Sequence, residues 1–319
     1  MGAGDHAQEQ NDKGAACCAP TARKGAAERA GDLTFETIAG RRVCLRSDHS
    51  QVRELAAMAD AALASLPGAA VLRDHSRNFV VKLPRPAGGP TLYWKSFRAE
   101  GWVERLKDLF RPCPAARAWR GSLRLQEAGI ATAPLVACGK PGPGRAPSFL
   151  ITEELQDCRS VNKWLAHFHE DPARFARQKH QLMRRVGRML ATMHQAKLYH
   201  TDMRPGNILV RLSDSGEFDL FLIDTDRVMR TRLRGWRESR RNLMQAMFSP
   251  SPEMTMTDRM RIAGAYAEAR GLEPLRTARR ALFLSSCRWL RRRLRALVRA
   301  KPQVGPKPRG LLARLEKLP

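Results

Sequence analysis

No apolar run in this chain approaches the roughly 20 residues that span a bilayer, so the sequence holds no transmembrane helix. The opening stretch MGAGDHAQEQNDKGAACCAPTARKGAAERAG lacks the apolar core of a secretory leader, and His6 stands where an N-myristoylation pattern needs Ser or Thr. The seven cysteines are odd in number and scattered, with only Cys17 and Cys18 adjacent. No C-x-x-C spacing offers a zinc site, and nothing suggests a disulfide framework. These absences point to a reduced, cytoplasmic protein. Acid is scarce as well: 31 Asp and Glu against 57 Lys and Arg give a net charge of +26. Such a surplus predicts attraction to a polyanion, whether nucleic acid, an anionic membrane face or a phosphorylated substrate, and says nothing about the fold.

What is present is an ordinary globular complement, 43% hydrophobic over 319 residues, enough for a large core and two lobes. Residues 1–32 are Ala, Gly and charge, which predicts a disordered N-terminal segment. LTFETIAGRRVCLRS reads as a short strand pair, and SQVRELAAMADAALASLPG has helical spacing up to Pro67-Gly68. AAVLRDHSRNFVVKL and TLYWKSF, joined by the turn-rich PRPAGGP, read as consecutive antiparallel strands. CPAARAWRGSLRLQEAGI is a helix stopped by Gly129, and PLVACG and SFLITEEL are two further strands. Beyond them the chain is mainly helical. ARFARQKHQLMRRVGRMLATMHQA carries Leu182, Val186, Met189, Leu190 and Met193 on one face, and NILVRLSDSGEFDLFLID is a hairpin.

The long helix delivers the chain into LYHTDMRPGNILV, where His200, Asp202 and Asn207 match the H-x-D-x-x-x-x-N spacing of kinase catalytic loops. Phosphoryl transfer from ATP needs a carboxylate to take the attacking hydroxyl's proton, an Asn and an Asp to hold Mg²⁺, and a Lys on the phosphates. Asp202 supplies the carboxylate, and Arg204 is a cation able to offset charge on the transferred group. Asn207 and Asp224, the latter in FLIDTD after the hairpin, supply the metal ligands. Lys95 lies in the apolar strand TLYWKSF, where an ammonium without a partner is costly. An isolated Asp-Asn loop is usually only a turn. The ordered set Lys95, Asp202, Asn207 and Asp224 is what makes this one a kinase signal. His200 reads as a packing and hydrogen-bonding residue of the loop. His167 and His169, two apart on a helix, face different ways and read as surface residues rather than a metal pair.

With these pieces in place, SFLITEEL, MHQAKLYHTDMRPGNILV and FLIDTDRV together resemble the lipopolysaccharide kinase family, whose members phosphorylate inner-core sugars, heptose or Kdo. LYWKSF, EAGIATAPLVACG, SRRNLMQAM and MTDRMRIAGAYAEARG support the likeness over about residues 70 to 270, and Ile-Asp-x-Asp-Arg at 223–227 is its most specific element. The resemblance implies an α+β, two-lobed protein-kinase-like fold. Its N-lobe (33–155) would be a small antiparallel sheet with one main helix, and its C-lobe (156–272) mainly helical. It implies Asp202 as base, Asn207 and Asp224 on Mg²⁺, Lys95 on the phosphates of ATP, and the backbone of Glu153 to Leu155 on adenine. Two departures stand out. Ala118 occupies the place before Trp119 where similar proteins carry the helix Glu that pairs with the Lys, leaving Glu104 or Glu127 as substitutes. LRDHSRNF replaces a G-x-G-x-x-G loop.

The last segment, 273–319, is a basic tail. From Arg276 to Lys301 it has no acidic residue, and Phe283, Cys287, Leu290, Leu294 and Leu297 form one apolar stripe. Such a helix suits an anionic membrane surface; the stripe docking on the helical lobe with its arginines solvated is a second reading, compatible with the first. Nucleic acid is the weaker reading of the charge, because no recognition motif accompanies it. The sequence therefore predicts an ATP- and Mg²⁺-dependent kinase of the lipopolysaccharide core, peripheral on the inner membrane. Its rivals are a small-molecule or protein kinase with the same loop, and a membrane-tethered protein that has lost catalysis.

Overall fold

A computed structural model describes residues 33–46, 52–84, 89–98, 112–141, 147–230, 235–248, 254–300, 303 and 305–316. The expected disordered segment 1–32 and Glu104 lie outside them. The described residues form two compact units. The first comprises the described part of Met1–Glu127 with Thr132–Gln156 and Asp224–Val228, and the second the described part of Ala128–Ala131, Asp157–Ile223 and Met229–Pro319.

The first unit is a seven-stranded sheet built from β1 (Leu33–Ile38), β2 (Arg41–Arg46), β3 (Ala70–Asp74), β4 (Asn78–Leu83), β5 (Leu92–Phe97), β6 (Leu135–Gly139) and β7 (Ser148–Glu153). Its order is β1-β2-β6-β7-β5-β4-β3, and every pairing is antiparallel. Strand alternation distributes apolar side chains to both faces. Val43, Leu45, Phe79, Val81, Trp94, Phe149 and Ile151 form one core, with Trp94 stacked on Phe149 at 4.2 Å. Cys44, Phe97, Cys138 and Leu150 form the other, against Ala115, Ala118 and Trp119 of the helix Pro114–Glu127.

SQVRELAAMADAALASLPG is not one helix. It makes two short ones, α1 (Arg53–Ala57) and α2 (Asp60–Ala64), because Met58 and Ala59 are extended. The break presents Asp60 to Ser96 Oγ (2.5 Å) and Arg98 Nη2 (3.0 Å), and these tertiary bonds outweigh local helix propensity. The helix Pro114–Glu127, α3, ends as expected before Gly129, whose φ of 76° only glycine adopts freely.

In the second unit, β8 (Arg159–Ser160) leads into α4 (Val161–Glu170), whose first turn is capped by Ser160. α5 (Pro172–Gln195) follows, and β9 (Leu198–His200) opens the loop to β10 (Ile208–Leu212) and β11 (Phe218–Leu222). The β10–β11 hairpin is antiparallel as its alternation predicts, and Gly216 (φ 76°) closes its turn. Trp164 ties α4 to this hairpin through its Nε1–H bond to Val210 O (3.2 Å) and its ring contact with Phe218. α6 (Gly235–Phe248), α7 (Met256–Ala269), α8 (Leu275–Ala300) and α9 (Pro306–Glu316) complete the unit. α5 approaches α7 closely at Gly187, where a Cβ would meet Ile262 O at 2.5 Å. Among the described residues no helix is long and apolar enough to cross a membrane.

Candidate active site

Lys95 lies on the α3 face of the sheet, midway along β5, where β4 and β7 flank it through Val80 and Leu150. A lysine there keeps its charge only with carboxylates at hand. Its Nζ is 2.6 Å from Asp224 Oδ1 and 3.4 Å from Asp226 Oδ1. Burial alone would pull its pKa down, but the charges of Asp226 and Asp224 outweigh that and leave it above the usual lysine value. Glu127, the described one of the two substitutes foreseen for the missing helix carboxylate, is exposed and makes no bond to Lys95. Asp226, not Glu127, is the second carboxylate beside Lys95. The second Asp of Ile-Asp-x-Asp-Arg was the available signal, but its side chain has no assignable task until the turn that carries it is seen.

That turn, Thr225–Arg227, follows Asp224, which is left-handed at φ 57°. Thr225 Oγ1 donates to Ala118 O at 2.8 Å and accepts from Ser122 Oγ at 3.0 Å. At Gly121, one turn along α3 from Ala118, a Cβ would collide with the Thr225 carbonyl oxygen. Glycine is required there by the approach of another backbone.

In the second unit, Asp202, Arg204 and Asn207 share one loop. Asp202 Oδ2 accepts from Arg204 Nη2 at 2.5 Å, while Oδ1 has no partner among the described residues. Asn207 is buried, and its Nδ2 donates to Asp202 O at 2.8 Å. That bond turns the amide Oδ1 outward, without a partner among the described residues. Asn207 O accepts from Ile223 N–H at 3.0 Å, which sets the strand that runs into Asp224.

The loop backbone is held from α6. Asn242 Oδ1 accepts from His200 N–H at 3.0 Å and its Nδ2 donates to His200 O at 2.6 Å. One turn on, Gln245 Oε1 accepts from Met203 N–H at 3.1 Å and its Nε2 donates to Thr201 O at 3.0 Å. Asp202 N–H goes to His200 Nδ1 at 3.2 Å. Behind Asn242 lies His194, buried, with Nε2 3.3 Å from Asn242 Oδ1 and Nδ1 3.0 Å from Tyr266 Oη. Because the Asn242 oxygen is an acceptor, Nε2 must carry the proton and Nδ1 accepts from tyrosine. Burial pushes the imidazole pKa down to about 4, against the bond to Asn242, so the ring is neutral. Sequence reading used SRRNLMQAM only as support for the family likeness and gave these amides no task, since their partners lie some forty residues upstream.

At the end of β7, Glu153 N–H donates to Pro134 O and Glu154 N–H to Thr91 O, both 2.9 Å or shorter. Two of the three N–H groups expected to meet adenine are therefore spent within the unit, leaving Leu155 N–H and the segment's carbonyls. Glu154 is instead a side-chain anchor, bonded to Lys82 Nζ at 2.7 Å and Tyr93 Oη at 3.3 Å.

A carboxylate and an amide oxygen are hard donors of the kind Mg²⁺ accepts; Asp224 offers the first in one unit and Asn207 the second in the other. No cluster of three or more His, Cys, Asp or Glu that could hold a metal occurs among the described residues. An antiparallel sheet with a buried lysine, a helix against it, and an Asp–Asn loop followed by a hairpin and a second Asp define a phosphotransferase of the protein-kinase-like fold. The profile of the lipopolysaccharide kinase (Kdo/WaaP) family matches residues 92–266, and the chain belongs to that family. It is 30% identical over 227 residues to the lipopolysaccharide core heptose(I) kinase WaaP of Pseudomonas aeruginosa, covering 68% of this chain and 82% of that protein. To the heptose(I) kinase WaaP of Escherichia coli it is 34% identical over 144 residues, covering 43% of this chain and 54% of that protein. Among solved structures, WaaP in complex with acyl carrier protein has a TM-score of 0.54 at 23% identity, covering 86% of this chain and 97% of that one.

Proposed function

We propose that this kinase transfers the γ-phosphoryl group of ATP to a hydroxyl of an inner-core sugar of lipopolysaccharide, heptose or Kdo, as its relatives named heptose(I) kinases do. The observation that carries the reading is the ion pair of Lys95 with Asp224, residues 129 apart in sequence. A lysine held on the carboxylate that follows the hairpin is the arrangement phosphoryl transfer needs at the nucleotide phosphates.

The chemistry follows from the loop. Asp202 Oδ1 takes the proton as the sugar oxygen attacks phosphorus. Oδ2 stays tied to Arg204, which fixes the carboxylate and places a cation beside the transferred charge. The bond from phosphorus to the bridging oxygen breaks, and ADP leaves. Lys95 would hold the phosphates, Leu155 N–H and the carbonyls of Glu153 to Leu155 would meet adenine, and Asn207 and Asp224 would be the Mg²⁺ ligands. Bound Mg²⁺ supplies charge neutralisation on the β- and γ-phosphates.

The rival reading, a protein without catalysis, drew on Ala118 in the place of a helix Glu. Asp226 beside Lys95 supplies a carboxylate partner and weighs against that rival. A membrane site is proposed on the arginine face of α8 alone. Phe283, Cys287, Leu290 and Leu294 are buried in the second unit and Leu297 is exposed, so most of the apolar stripe is docked and mainly charge is left to attract an anionic surface on the cytoplasmic side of the inner membrane. An acyl carrier protein partner, present in the solved WaaP complex, is proposed for this chain as well and is tested by co-purification.

The deciding assay is phosphate incorporation from ATP into intact and delipidated lipopolysaccharide core, for wild type and Asp202→Ala. Incorporation that disappears in the variant supports the reading. Robust ATP turnover with a different acceptor, or full activity in Asp202→Ala, sinks it.

A further inference from the structure

In kinases the phosphate-holding lysine is usually paired with a glutamate on the neighbouring helix. Here that helix, α3, gives Lys95 no carboxylate. It offers the backbone carbonyl of Ala118, the bare Cα of Gly121 and the hydroxyl of Ser122, all on one face, and the Thr225–Arg227 turn sits against them. Thr225 is itself buried, at 6% exposure. The turn is thus keyed to the helix by two hydroxyl bonds and a close backbone approach, and it carries an aspartate on either side of the key. Asp224 is the more exposed of the two (35% against 12%) and is the one assigned to metal. Arg227 Nε lies 3.4 Å from Asp226 Oδ2, on the carboxylate's other oxygen, so Asp226 is oriented by cations on both sides.

These facts bear on a conflict within the proposed mechanism, on which the inference rests. If Asp224 both pairs with Lys95 and ligates Mg²⁺, the metal competes with the lysine for one carboxylate. We propose that Asp226 is the standing counter-ion of Lys95, a positioning residue that keeps the lysine in place on the nucleotide phosphates when Asp224 turns to the metal. Asp226 thereby does from the turn what a helix glutamate does elsewhere, and α3 contributes only the socket for that turn. Lys95 Nζ lies 2.6 Å from Asp224 and 3.4 Å from Asp226, so both carboxylates are within ion-pair range.

The competing role for a carboxylate two residues from a metal ligand is to ligate the metal itself. A double-mutant cycle on nucleotide affinity separates the two. Calorimetry of Mg-ATP binding is run on the full chain as wild type, Asp226→Asn, Lys95→Met and the double variant, with melting temperatures recorded for each. An aspartate that acts through Lys95 gives about a tenfold loss of affinity in Asp226→Asn, equal to about 1.4 kcal/mol, and less than twofold further loss in the Lys95→Met background. Thr225→Val, which unkeys the turn while leaving both carboxylates, weakens Mg-ATP by several-fold, again only when Lys95 is present. It serves in place of Asp226→Asn should that variant fail to fold. Unchanged affinity in a folded Asp226→Asn overturns the proposal, as does an equal loss in both backgrounds, the signature of a metal ligand. A wild type that binds no Mg-ATP at all sinks the proposed function together with this inference, whereas a binding wild type with a neutral Asp226→Asn sinks this inference alone.

Discussion

Replacing Asn242 by Ala tests whether α6 holds the catalytic loop in register. The side chain is fully buried and bonds His200 N–H, His200 C=O, His194 Nε2–H and, at 3.5 Å, Gln245 Oε1. Truncation strands two backbone groups and one imidazole donor. Each buried group without a partner costs ~1–3 kcal/mol, and water entering the vacated space recovers part of that, so the net loss should be about 2–4 kcal/mol. In a chain of this size that lowers the melting temperature by roughly 5–10 °C. The effect on rate should be larger than on stability, because Asp202 is two residues from the lost clamp and a ~1 Å displacement of a reacting group costs on the order of 10²-fold. The assay is core phosphorylation with saturating ATP, beside calorimetric ATP affinity. The expected pattern is a tenfold to hundredfold fall in kcat with ATP affinity within twofold of wild type, and no further fall when Asp202 is already Ala. Wild-type melting temperature with kcat within twofold would refute the clamp. The same factor lost in the Asp202→Ala background would show that Asn242 does not act through Asp202.

Gly121→Ala places a methyl group against the Thr225 carbonyl, which no rotamer change relieves, so the variant should lose ~1–3 kcal/mol and weaken Mg-ATP binding, read by melting and calorimetry. A variant as stable as wild type would contradict the close approach. Asp258 caps α7 through Thr255 and pairs with Lys179 at 2.9 Å, with 2% of its side chain exposed. Asp258→Ala should therefore cost about 2–4 kcal/mol by chemical denaturation. Burial pushes that carboxyl up, but the bonds from Thr255 and Lys179 overcome it and hold the pKa below the ordinary aspartate value. Its stabilisation is therefore complete above the unfolded carboxyl pKa of about 3.9 and drains as pH falls through the lower folded value. Wild type but not Asp258→Ala should lose this increment in acid titrations of stability. Binding to phosphatidylserine vesicles should fall steeply with added salt, since the outward arginines of α8 supply most of the attraction. Salt-insensitive binding would mean the buried stripe reopens.

The catalytic loop was legible because its chemistry is compressed into eight residues, and Lys95 because a lone cation in an apolar strand demands a partner. The hairpin and α5 followed from periodicities of two and 3.6. What escaped were bonds whose two ends are far apart in sequence. Asp60 breaks a helical pattern to reach Ser96 and Arg98, a pull that local propensity cannot register. Asn242 and Gln245 look like surface polar residues of an amphipathic helix until the loop they serve is brought against them. Asp226 was visible as a letter in a motif, yet its task depends on where Thr225 seats the turn. The tail posed a choice that sequence alone left open, because a stripe made for lipid and a stripe made for a neighbouring helix have the same composition.

The resolution of that choice has a consequence for where this protein can be cut. The family profile match stops at residue 266, nine positions before α8 begins. Phe283 lies over Phe248, Arg240 reaches Ser285, and the stem of Arg279 covers Gly264 where no side chain stands. A fragment trimmed to the conserved-looking segment would bare the underside of α6 and α7 and lose its strongest block of positive charge at once. It would gain an adhesive face and lose the repulsion that keeps like-charged molecules apart, and the shortened chain should come out of solution as aggregate.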